Sequence, residues 1–83
     1  MNVETIHVAL KRPLLIMKAP NGFVACGYIN IETCNRTEDA CALVNAGNFE
    51  HMKKAPSVAV SRRAEELGIR VGDTGESALL KMQ

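Results

Sequence analysis

Pro20-Asn21-Gly22 stands between two runs of apolar residues and dictates how the first half of the chain can fold. Proline presets a φ that suits a reverse turn, while asparagine and glycine tolerate positive φ, so three such residues in a row turn the chain back on itself. The run before the turn, residues 14 to 19, and the run after it, residues 23 to 30, are therefore expected to be the arms of an antiparallel hairpin. In the second arm, Phe23, Ala25, Gly27 and Ile29 fall on one face and Val24, Cys26, Tyr28 and Asn30 on the other. Neither face is polar before Asn30, so this arm is expected to be a central strand covered on both sides.

Residues 3 to 10 alternate in strand fashion, with Lys11, Arg12 and Pro13 breaking the pattern before the hairpin. Beyond the hairpin, residues 31 to 39 read as one or two helical turns and residues 40 to 44 as a fourth strand. Asn48 can cap a short helix that Pro56 closes from outside. Residues 57 to 61 form a β-branched strand, and Ser61 can cap a following helix that Gly68 stops. The last helix, capped by Asp73 or Thr74, presents Ala78, Leu79 and Met82 on one side. This order predicts an α+β fold: a mixed sheet of about five strands with three or four short helices packed on it.

Eighty-three residues without a linker or repeat make one domain, residues 1 to 83. A chain this small buries only about 60% of its extended surface. With no tryptophan and three other aromatic residues (one tyrosine, two phenylalanines), its core must come from aliphatic side chains and methionine. Such a thin core gains from self-association, and a homo-oligomer is expected. The net charge of +1 supplies no field for nucleic acid or an anionic membrane. The longest apolar run, Pro13 to Met17, is far too short to span a bilayer, and the first residues lack the order of a secretory signal. These features, with three cysteines at spacings of eight and seven, predict a cytoplasmic protein whose thiols are free.

Cys26 is the residue with the most chemistry to offer. As a nucleophile it would need a lowered thiol pKa and a base within hydrogen-bond reach, for which His7 and His51 are the only histidines. As a small apolar residue it would pack in the strand, as free cysteines commonly do. Tyr28 and Asn30 share its face, so Cys26, Tyr28 and Asn30 form the candidate ligand-binding triplet. Cys26, Cys34, Cys41 and a histidine lack the short Cys-x(2 to 4)-Cys spacing of structural zinc sites, so no metal is assigned, and nothing calls for a cofactor. The stretch Val71 to Ser77 has the form of a helix cap and lacks the lysine and length of a phosphate loop.

The chain also resembles the YunC-like family of small bacterial and archaeal proteins, a domain of unknown function. The likeness rests on Lys18, Pro20, Gly22, Cys26 and Gly27, then on Leu67, Gly68, Ile69, Gly72, Thr74, Gly75, Ala78 and Leu79. It spans residues 14 to 82, with one departure, Ala46-Gly47 where the family has Gly-Val. The resemblance implies an α+β fold and a cytoplasmic prokaryotic protein, and it brings no activity. Two functions are thus expected to compete: a self-associating module that binds a partner or small ligand, and a cysteine-dependent enzyme using Cys26.

Overall fold

A computed structural model describes all 83 residues. Its elements follow the expected order: β1 (Glu4–Ala9), β2 (Pro13–Ala19), β3 (Gly22–Ala25), α1 (Ile31–Thr37), β4 (Cys41–Val44), α2 (Phe49–Lys54), β5 (Ser57–Val60), α3 (Arg62–Glu66) and α4 (Gly75–Lys81). The five strands lie in the sheet in chain order. β1, β2 and β3 form an antiparallel meander, β3 and β4 run parallel, and β5 returns antiparallel to β4. The chain is α+β, with four helices on a five-stranded mixed sheet.

Pro20 and Asn21 make a two-residue turn closed by the Ala19–Gly22 pair. Neither Asn21 nor Gly22 adopts positive φ. Gly22 is needed for a different reason: a Cβ there would sit 2.6 Å from the Ala40 carbonyl oxygen and 3.1 Å from Met82 Cγ. Asn48 and Ser61 cap α2 and α3 as expected, and Gly68 at φ 90° follows the end of α3. Of the two possible caps for α4, Thr74 takes the role through the Ser77 amide. Asp73 instead accepts from the Arg70 amide and from Lys81 Nζ.

One face of the sheet carries Leu15, Met17, Val24, Cys26, Ala42 and Val44 into the core, where Met52 of α2 and Leu79 and Met82 of α4 meet them. The alternate residues, including Cys41 and Leu43, point to the opposite face, and α1 lies there. Cys34 of α1 is disulfide-bonded to Cys41 of β4, with Cα atoms 6.5 Å apart. The expectation of three free thiols is corrected: only Cys26 is unpaired. Seven residues suffice for a helix leaving β3 to fold back across β4, and this tertiary return sets the pairing.

The expected strand from residue 23 to 30 is also corrected. β3 ends at Ala25, and Cys26 opens a turn whose Ile29 amide donates to the Cys26 carbonyl at 3.1 Å. The alternation runs on through Tyr28, but Asn30 must stand at the N-cap of α1, so the chain has to reverse within residues 26 to 29. Ser61, fully buried, fixes the far end of β4: its hydroxyl accepts from the Cys41 amide at 2.9 Å and donates to the Asp39 carbonyl at 2.8 Å.

Candidate functional site

Parallel strands end side by side, so the loops that follow β3 and β4 emerge at the same end of the sheet. The helices they lead to lie on opposite faces, α1 outside against Cys41 and α2 inside among the core residues. Loops that part in this way leave a crevice at the carboxyl ends of the strands, where open α/β sheets hold their ligands. A cleft of about 630 Å³ lies there, within the size range of small-molecule sites.

Three separate segments line it. The β1–β2 connection and the first residue of β2 give Arg12 and Pro13, the turn after β3 gives Cys26, Gly27 and Tyr28, and the loop after β4 gives Asn45, Ala46 and Gly47. Tyr28 is half exposed, and its hydroxyl receives the Arg12 amide at 3.4 Å, which ties two of the segments together. Arg12 has no carboxylate partner. Added Cβ atoms at Gly27 and Gly47 would meet nothing within 4 Å, so the backbone at both positions borders open space.

Cys26 forms a wall of the cleft and is only 5% exposed. Its amide keeps the ladder bond to the Leu15 carbonyl at 3.1 Å. In the return direction the sulfur itself takes the Leu15 amide at 3.4 Å and faces the Pro13 carbonyl at 3.8 Å. The thiol thus completes the end of the ladder that the turn would leave open.

Of the residues singled out from the sequence, the fold brings Cys26 and Tyr28 to this cleft. Asn30 is occupied as the cap of α1, its side chain accepting from the Glu32 and Thr33 amides. β1 adjoins β2 and not β3, so His7 does not lie beside Cys26. His7 is exposed opposite Leu15, two strand spacings or roughly 10 Å from the cysteine, and edges against the ring of Phe49. His51 is exposed on α2. Arg12, Asn45 and Gly47 were legible in the sequence only as strand breakers and turn residues. The signal that could have found them is positional, since all three stand where an apolar run begins or ends.

The family model for DUF1805, a domain of unknown function, matches residues 25–82, which include two of the three lining segments. The uncharacterized protein YunC of Bacillus subtilis (strain 168) is 34% identical over 67 residues, covering 75% of this chain and 66% of YunC. The chain thus spans slightly less than two thirds of that relative's length. Among solved structures, a protein of unknown function, TA1206 from Thermoplasma acidophilum, is similar with a TM-score of 0.85 at 26% identity. That likeness covers 99% of this chain and 92% of the other.

Proposed function

The chain belongs to the DUF1805 family, a domain of unknown function, and we propose from the cleft itself that it binds a small anionic ligand of metabolite size. The observation that carries this reading is the crevice at the carboxyl ends of the parallel β3–β4 pair, with Arg12, which has no carboxylate partner, in its lining. Arginine offers a planar fork of N–H donors that suits a carboxylate or phosphate. Tyr28 and Asn45 supply one hydroxyl and one amide to orient the rest of the molecule, and Gly27 and Gly47 let it approach the backbone closely.

The alternative, a Cys26 nucleophile, has less support. A thiol nucleophile needs a base within about 3 Å, and the cleft lining contains no histidine, aspartate, glutamate or lysine. The sulfur is already engaged by Leu15 and Pro13.

Amide chemical-shift mapping tests the binding reading, with inorganic phosphate and citrate as separate probes. Saturable shifts are expected at Gly27, Tyr28, Ala46 and Gly47, and Arg12→Gln should weaken binding by about tenfold or more, the value of a charge-assisted hydrogen bond. Equal binding by Arg12→Gln, or no response to either probe, would overturn it.

A further inference from the structure

The loops of this fold use their backbone amides in two ways. From Gly68 to Gly75, the amides of Gly68, Ile69, Gly72, Asp73 and Gly75 donate to carbonyls of the chain, and the Arg70 amide donates to the Asp73 carboxylate. The two loops at the cleft differ. After β3, the Cys26 amide donates to the Leu15 carbonyl and the Ile29 amide to the Cys26 carbonyl, but the Gly27 and Tyr28 amides between them donate to nothing within the chain. After β4, the amides of Asn45, Ala46 and Gly47 are free in the same way, and internal bonding resumes where the His51 amide meets the Asn48 cap.

Backbone N–H groups require a partner wherever water is displaced, and successive free amides are the donors from which phosphate cradles are built. Here they stand in two loops that line one cleft, and Arg12 enters it from a third segment. Donors converging from three segments suit a phosphoryl group, whose three terminal oxygens are spread in space. A carboxylate has two oxygens in one plane and would leave one segment without an acceptor. The cleft also has an apolar part, made by Pro13, Ala46 and the half-exposed ring of Tyr28, which a bare inorganic ion would not cover.

We propose, resting on the anion-binding reading of this cleft, that its ligand is a phosphate monoester with an apolar or aromatic organic part. The free amides of the loops after β3 and β4 hold the phosphoryl oxygens, and the forked N–H groups of Arg12 offset part of the charge. Gly27 and Gly47 carry no side chain to screen the amides beside them. The organic part lies against Pro13, Ala46 and the Tyr28 ring, whose hydroxyl takes the Arg12 amide and so joins the arginine's segment to the first loop.

Isothermal titration calorimetry in phosphate-free buffer, with amide spectra of the same samples, tests this with phenyl phosphate, phenylacetate, inorganic phosphate and citrate as separate probes. Phenyl phosphate should bind at least about tenfold tighter than each of the others, the value of one further charge-assisted hydrogen bond, and should move amide protons of both loops downfield as they take up hydrogen bonds. Equal or tighter binding of phenylacetate or citrate would overturn the phosphoryl head group while the anion-binding reading stands. Inorganic phosphate binding as tightly as phenyl phosphate would overturn the organic part. Downfield shifts confined to one loop would overturn the shared cradle. No binding of any probe would overturn the ligand class together with the reading beneath it.

Discussion

The Asp73 carboxylate is held below the usual carboxylate range, first by the Arg70 amide that donates to it at 3.0 Å and then by Lys81 Nζ at 3.0 Å. Its charge joins the loop before α4 to the last turn of that helix, and Lys81 also donates to the Gly68 carbonyl at 2.9 Å. The sign of the resulting pH dependence is fixed. Because the folded chain binds this proton less readily than the unfolded one, the contribution is complete above the unfolded value near 4 and is lost as pH falls through the lower folded value. Asp73→Asn should therefore melt below wild type at neutral pH, and the gap should close as acid protonates the wild-type carboxylate. Thermal midpoints of both proteins across the acid range check this, and parallel curves would remove Asp73 from the account. Arg63 is raised further above its ordinary value by Glu66 and then Glu38, and it stays charged at any accessible pH.

Among the elements, α4 depends on how closely it starts against α2. A Cβ on Gly75 would overlap the Met52 carbonyl oxygen and stand 3.0 Å from its carbonyl carbon. Backbone atoms on both sides leave no flexible side chain to yield, so Gly75→Ala should cost about 3 kcal/mol, the upper part of the range for overpacking. Gly47→Ala, where the added carbon meets nothing, should change stability by less than about 0.5 kcal/mol. Denaturant midpoints of the pair measure the contrast, and equal losses would show that α4 can shift away. Gly75 was visible in the sequence only as a residue near a helix start, and its role appears once α2 is in place. The same distinction runs through the fold. As helix caps and stop, Asn48, Ser61 and Gly68 act on neighbours within three or four residues, and those parts were readable, whereas the bonds from Ser61 to Cys41 and Asp39 join distant segments and were not. The end of β3 was not, because Cys26 and Tyr28 keep the strand alternation while the cap requirement at Asn30 breaks it. The Cys34–Cys41 bond needs the parallel crossover before the two thiols can meet. The cleft is the least legible feature, since Arg12, Tyr28 and Asn45 come from three loops that converge only through the strand order.

For the molecule as a whole, an accessible surface of 4890 Å² matches the roughly 4900 Å² expected of a compact monomer of this mass, even with every residue of β1 exposed. The burial is concentrated on the other strands and on α2 and α4, and Met82 is where these meet. It is fully buried, packs toward Gly22 at the hairpin, and its carbonyl accepts from the Asn21 amide at 2.8 Å. Truncation to Met82→Ala leaves the carbonyl in place and removes only the side chain, so the loss reports packing alone. A buried methionine cut to alanine costs roughly 2 to 5 kcal/mol. A domain of this length is expected to have only about 4 to 12 kcal/mol in total. At mid-range values the variant should thus lose roughly 40% of its stability, with a thermal midpoint lower by about 10 °C or more. Scanning calorimetry of wild type and Met82→Ala measures the difference, and nearly equal midpoints would show that the neighbouring side chains close over the space the methionine leaves.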